Sequence, residues 1–310
     1  MITSITLNAA IDQIYRLDCL AVGGVNRIMD MHQDAGGKGL NVAKVLTSLG
    51  AEVDAGGFLG GSNGEKIRRL VKEKGIPEQF IPIAGESRVC LTVMDTSTGK
   101  GTELLESGPV ISEEEWKSML EWLRVKSNQT KWFALSGSLP KGLPDDAYAQ
   151  MIDIINANGA KAVLDTSGIA LRYGIEAKPF AIKPNEKEFA DMVGSESLST
   201  ERMRKEGCRL AEQGIGHVCL TLGEKGALFC NQTGAFQAEA PLIDLKNPVG
   251  SGDAFIGGLL YGFSSFEDDV KAYKRAIACG SVNAAHPEIG YSDWNEVEDL
   301  MKMIKIQEFN

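Results

Sequence analysis

Four short apolar runs, residues 132–135, 162–165, 180–183 and 217–222, are separated by segments long enough to form helices. Parallel strands cannot be joined by a tight turn and need a crossover, so this spacing predicts βαβ units and a parallel sheet. Residues 2–7 and 53–58 read as further strands. A glycine cluster opens a helix through about Leu49, with Gly50 as its stop, and residues 64–74 read as a second helix. Two pairs of polar alternating segments, 13–17 with 26–31 and 88–95 with 102–106, do not suit a sheet covered on both faces. They are placed in a small β lid spanning about 12–34 and 86–106. The expected fold class is α/β, with one domain over 1–310, a mainly parallel central sheet and that lid.

Open parallel sheets bind ligands outside the carboxyl ends of their strands. Several motifs fall at those ends: Ser136-Gly137-Ser138, Asp165-Thr166-Ser167, Lys183-Pro184-Asn185 and Thr221-Leu222-Gly223. The most informative segment is Asn247-Pro248-Val249-Gly250-Ser251-Gly252-Asp253, followed by a helix of small residues. Glycines let backbone N–H groups converge, and the helix start adds its positive dipole end, which together suit an anion. Asp253 at the helix head is placed to accept a proton from an attacking hydroxyl. The plainer reading is an N-cap after a glycine turn.

A second segment, Gly36-Gly37-Lys38-Gly39-Leu40-Asn41, permits close backbone approach to a ligand, with Lys38 and Asn41 as polar contacts. Alone it is equally a glycine loop entering a helix. In a third, Lys183 to Glu188, the plain reading is a strand end and a helix start with Glu in the first turn. The functional one puts Asn185 and Glu188 beside a Mg²⁺ ion that keeps much of its water.

Other classes are excluded. A net charge of −10 opposes nucleic-acid binding. No G-x-x-x-x-G-K-[ST] loop or G-x-G-x-x-G fingerprint occurs, which removes P-loop and dinucleotide-binding readings. The six cysteines contain no C-x-x-C pair, and the three histidines are too dispersed for a triad or metal site. His217 is expected to be structural. The N-terminus has no signal-peptide pattern and no apolar stretch reaches membrane-spanning length, so a cytoplasmic protein without membrane partners is expected.

Taken together, the ordered motifs resemble the ribokinase/PfkB carbohydrate kinase family over essentially the whole chain. Gly36-Gly37-Lys38-Gly39-x-Asn41 is similar to its N-terminal signature, and Asn247-Pro-x-Gly-x-Gly-Asp253 to its C-terminal one. Asn185-x-x-Glu188 and Thr221-Leu-Gly223-x-x-Gly226 stand between them in family order. The resemblance implies a ribokinase-like three-layer αβα sandwich that uses ATP and Mg²⁺. It implies Asp253 as base, and Gly250, Ser251 and Gly252 as the anion hole. Asp12, Gly37, Lys38 and Asn41 would hold the sugar. Lys183, Asn185, Thr221, Gly223 and Gly226 would line the nucleotide, with Cys279 and Asn283 near adenine, and Glu188 would help place the metal.

The start Leu7-Asn8-Ala-Ala-Ile-Asp12 is similar to the tagatose-6-phosphate kinase and 1-phosphofructokinase branch, as are Val25-Asn26-Arg27, Gly85-Glu-x-Arg88 and Ser136-Gly-Ser138-Leu-Pro-Lys-Gly142. Arg27, Lys38 and Arg88 would supply cations for a substrate phosphate, Arg being suited to bidentate contacts. The implied reaction converts a ketohexose phosphate (tagatose 6-phosphate, fructose 1-phosphate or fructose 6-phosphate) to the bisphosphate. Alternatives are a kinase of an unphosphorylated sugar or nucleoside, favoured if Arg27 and Arg88 face solvent, and a catalytically silent sensor. Ala9 stands where the branch usually has Pro, which loosens the loop after the first strand. A polar two-sided ribbon is marginal alone, so a homodimer through the lid is expected.

Overall fold

The computed structural model describes residues 1–266 and 268–309. Strand β1 (Ile2–Thr6) is followed by β2 (Ala10–Leu17) and β3 (Asp30–Gly36). Next come α1 (Lys38–Ser48), β4 (Val53–Gly60), α2 (Gly61–Glu73), β5 (Glu78–Ile83), β6 (Arg88–Asp95) and β7 (Lys100–Leu105). The alternating region holds α3 (Glu113–Ser127), β8 (Trp132–Ser136), α4 (Ala147–Ala157), β9 (Lys161–Asp165) and α5 (Gly168–Glu176). It continues with β10 (Ala181–Ile182), α6 (Glu186–Val193), α7 (Thr200–Glu212) and β11 (His217–Thr221). A hairpin, β12 (Ala227–Asn231) and β13 (Gly234–Ala238), leads to α8 (Ser251–Ser264), α9 (Asp269–Ala284), α10 (Trp294–Met303) and β14 (Ile306–Phe309).

Ten strands form one sheet in the order β14-β13-β12-β11-β10-β9-β8-β1-β4-β5. Its β11-to-β5 portion is parallel, and β12, β13 and β14 continue it antiparallel. Two apolar cores flank it. One joins the sheet to α1, α2, α8, α9 and α10, the other to α3 through α7, which gives the three-layer ribokinase-like α/β architecture. Every residue of β1 is buried, as a central parallel strand covered on both faces requires. At β10 the ladder is only two residues long because Pro184, just beyond it, carries no N–H to donate.

A second sheet, β3-β2-β6-β7, stands apart from the first. Its second strand lies later than the alternation of residues 26–31 suggested. Asn26 closes a loop instead, accepting from Ala21 N–H at 2.8 Å and donating to the Ala21 carbonyl at 2.9 Å. Four strands absent from the sequence reading are present, namely β5, the β12–β13 hairpin and β14. All lie at the sheet's flanks, where β5 carries Pro82, a residue tolerated at an edge.

Helices α8 and α9 pack along each other through Gly258, where a Cβ would stand 2.7 Å from both the Arg275 carbonyl oxygen and Cys279 Sγ. Gly258→Val should therefore force them apart and destabilise the fold by about 1–3 kcal/mol. A lowered urea midpoint with unchanged slope is the expected readout.

Candidate active site

The site is assembled where α1 and α8 begin, above the carboxyl ends of β1, β8, β9 and β10. A side chain at Gly39 would run into Thr6 Oγ1 and the Ile5 carbonyl, so this glycine lets α1 start directly on β1. That docking brings Lys38 and Asn41 inward. Lys38 Nζ lies 3.4 Å from both carboxylate oxygens of Asp165, and Lys183 Nζ lies 3.2 Å from Asp165 Oδ1. Asp165 ends β9 at 1% exposure, and Lys183 follows β10 at 5%.

Opposite them, Gly250 adopts φ +82° and begins α8 without any side-chain cap. Asp253 is thus not an N-cap. Its Oδ2 accepts from Asn41 Nδ2 at 2.9 Å. The Ser251 N–H donates to the Pro248 carbonyl at 3.3 Å, whereas helix geometry leaves the N–H groups of Gly252 and Asp253 without intrahelical partners. Lys183 Nζ sits 3.2 Å from where a Gly252 Cβ would be, so the ammonium and these donors border one space.

Burial, and next the Asp165 carboxylate, push the Asp253 carboxyl up to about 7; Lys38, the Asn41 amide and Lys183 limit the rise. Lys38 is raised by Asp165 against the opposing effect of burial, with further contributions from Asp253 and Glu188. Asp12, on β2 opposite Asp34 of β3, is raised to about 6 by burial, with Lys44 opposing. Its carboxyl fills the space beside Gly36 that any side chain there would need.

Arg88 lies near Asp12, held by the Asn8 carbonyl at 3.2 Å from Nε and the Glu106 carbonyl at 3.0 Å from Nη1. Asn8 Nδ2 donates to Ser138 Oγ at 3.3 Å, while Asn8 Oδ1 is buried without a partner among the described residues. Arg27 is not part of this group. It is exposed on the β2–β3 connection, and no contact among the described residues ties it to Asp12 or Arg88.

On the other side, Asn185 and Glu188 form a reciprocal capping box at the start of α6. Asn185 Oδ1 is spent on the Glu188 N–H and Glu188 Oε2 on the Asn185 N–H, which leaves Glu188 Oε1 outside the capping box. Among the described residues no cluster of three or more His, Cys, Asp or Glu is built to hold a metal. A Mg²⁺ ion carried mainly by phosphate oxygens and water fits a single carboxylate near Lys38. Thr221 bonds through its N–H to the Pro184 carbonyl at 3.1 Å, and Gly223 and Gly226 adopt φ +61° and +94° in the turn after it.

The two residues expected near adenine are both buried. Cys279 packs between α8 and α9, its Sγ 2.7 Å from where a Gly258 Cβ would stand. Asn283 is also fully buried and braces the glycine turn: it donates to the Val249 carbonyl at 2.9 Å and accepts from Gly290 N–H at 2.9 Å. The sequence reading also passed over Asp165 as a site residue, although its place at a strand end was visible. Nothing in the pattern distinguished its carboxylate from a capping group.

A glycine-led helix start, the buried Lys183 with half-exposed Lys38, and an aspartate whose carboxyl burial raises suit transfer of a phosphoryl group to an alcohol. The comparisons agree. Residues 5–295 match the pfkB family carbohydrate kinase profile, and the chain belongs to that family. A Staphylococcus aureus chain described as a phosphofructokinase is 29% identical, with TM-score 0.87 over 100% of this chain and 99% of that one. Phosphofructokinase-2 from Escherichia coli, solved with fructose-6-phosphate, shares the fold at 22% identity and TM-score 0.89, with 98% of each chain covered. No helix among the described residues is long and apolar enough to cross a membrane.

The raised Asp253 pKa carries a stability consequence. A carboxyl whose folded pKa exceeds its unfolded value contributes favourably below about pH 4 and loses that contribution as pH rises through about 7. Asp253→Asn removes the buried charge, so it should raise Tm by about 2–4 °C at pH 8. The gain should shrink toward pH 5, as followed by calorimetry.

Proposed function

We propose that the chain transfers the γ-phosphoryl group of MgATP to a hydroxyl of an already phosphorylated ketohexose, giving the bisphosphate. One observation carries the reading: Asp253, buried and held by the Asn41 amide at 2.9 Å, stands in the first turn of α8, where Lys183 approaches Gly252. Asp253 takes the proton of the acceptor hydroxyl as the oxygen attacks the γ-phosphorus in line. The N–H groups of Gly252 and Gly250, with Lys183, stabilise the charge on the transferred group, whereas the Ser251 N–H is engaged by the Pro248 carbonyl. Asp12, Gly37, Lys38 and Asn41 orient the sugar. Thr221, Gly223 and Gly226 line the nucleotide with Lys183 and Asn185. Mg²⁺, with Glu188 turned toward its water shell, would neutralise phosphate charge.

A phosphorylated acceptor is supported by Arg88, whose two carbonyl contacts fix its guanidinium beside Asp12. Asn8 and Ser138 adjoin it as further polar contacts. The exposure of Arg27 favours the unphosphorylated-sugar alternative only in part, because Arg88 does not share it. Fructose 1-phosphate, fructose 6-phosphate and tagatose 6-phosphate remain the candidate acceptors. The assay that separates them is ADP release with MgATP across these three, ribose and adenosine. Turnover of one ketohexose phosphate is expected, with Asp253→Asn slower by about 10²–10⁴-fold. Arg88→Met should raise KM for that acceptor by about tenfold or more. Turnover of ribose or adenosine alone contradicts the reading, and silence throughout favours a sensor.

We further infer one kinase unit over 1–310 that pairs with a second copy through the lid. The lid sheet ends in two unpaired edge strands, β3 and β7, and exposes Val25, Met29, Met31, Leu104 and Leu105. Replacing Met31 and Leu104 together by glutamate should shift a dimer toward monomer in sedimentation velocity while the fold persists.

A further inference from the structure

Lys44 has no role in the chemistry described so far, yet it is only 8% exposed. It lies one turn beyond Asn41 on the same face of α1. A lysine ammonium has three donors and no acceptor. Here each finds a partner: Asp34 Oδ2 at 2.9 Å, the Ala35 carbonyl at 2.6 Å and Asn41 Oδ1 at 3.3 Å. Its stem is covered by Gly290, where a Cβ would approach Lys44 Cδ to 3.2 Å.

The third bond has a chemical consequence. A side-chain amide presents an acceptor at one end and donors at the other, so whatever fixes Oδ1 also fixes where Nδ2 points. With Oδ1 of Asn41 facing the ammonium, Nδ2 faces Asp253 and donates to it at 2.9 Å. Turned over, the same amide would set its oxygen against the carboxylate, which disfavours the ionised form that a base needs.

The first bond extends the chain of contacts to the lid. Asp34 lies on β3 directly across from Asp12 on β2, and the lid floor thereby reaches Asp253 through Lys44 and Asn41. We propose that Lys44 is a positioning residue for phosphoryl transfer: it holds the Asn41 amide in the orientation that donates to Asp253, and it ties that orientation to the seating of lid strand β3 through Asp34. This rests on Asp253 being the base.

The charged groups around both ends are defined. Asp253 is faced by Asp165 of β9, Lys38 of α1 and Lys183 beyond β10. Lys44 is faced by Asp34 and Asp12, Lys74 reaches Asp34 at 3.8 Å from the end of α2, and Arg16, His32 and Glu288 line the same cavity. None of the groups around Asp253 changes its covalent identity when Lys44 is replaced. A displaced acid limb in the rate profile therefore reports the amide.

The test compares wild type, Lys44→Met, Lys44→Arg, the double variant Asp34→Asn/Lys44→Met and Asp253→Asn, using the acceptor that wild type turns over. The double variant removes the carboxylate that Lys44→Met would strand, so a folding defect in the single variant does not block the measurement. For Lys44→Met and the double variant, kcat should fall about 10–50-fold, with KM for MgATP within about twofold. The acid limb of kcat should move up by about one pH unit. Lys44→Arg should stay within about threefold of wild type and keep the wild-type limb.

A double variant with wild-type kcat and acid limb overturns the proposal. So does a fall in kcat with the limb unmoved, which is the signature of a structural residue. Wild type inactive on every acceptor, or Asp253→Asn fully active, overturns the underlying reading of the base instead.

Discussion

Two buried carboxylates, Asp165 and Asp253, and the buried Lys183 ammonium share one region at the carboxyl edge of the sheet, with half-exposed Lys38 at its mouth. Removing such charges from water costs several kcal/mol per ion unless each finds a partner. Pairing is unequal here. Asp165 binds both lysines directly, whereas Asp253 has the Asn41 amide and only the more distant field of the same lysines. Asp165 is thus spent on the two lysines, while burial and the Asp165 carboxylate raise Asp253 to about 7, where it can take and return a proton.

That inequality depends on the fold. Asp165 and Lys183 stand at the ends of the adjacent parallel strands β9 and β10, and Lys38 and Asp253 at the starts of α1 and α8. An antiparallel sheet would send alternate strand ends to the opposite edge and separate these groups. Gly39 and Gly250 complete the approach, the first by allowing α1 to touch β1, the second by its left-handed backbone at the α8 start.

Much of this was legible in the sequence because apolar runs at helix-length spacing admit few topologies. The glycine signatures placed Lys38, Asn41 and Asp253 correctly at helix starts, where the structure joins Asn41 to Asp253. The flanking strands were missed since β5, β12, β13 and β14 lie outside the βαβ repeat. Asp165 was undervalued because pairing with two lysines far away in sequence leaves no local pattern. Cys279 and Asn283 were placed near adenine by resemblance alone; both are buried, Asn283 against the turn that opens α8. Lys44 was not singled out in the sequence, since nothing local shows that its ammonium is turned inward onto an asparagine.

The central claim is that burial, with the Asp165 carboxylate close by, holds the Asp253 carboxyl near neutrality. A carboxyl carbon NMR titration of aspartate-labelled protein, with the Asp253 signal assigned by its loss in Asp253→Asn, tests this directly. A midpoint close to 7 is expected. A midpoint near 4, the value of an unperturbed aspartate, would mean that burial and Asp165 do not tune the carboxyl. It would contradict the account of how this site takes a proton.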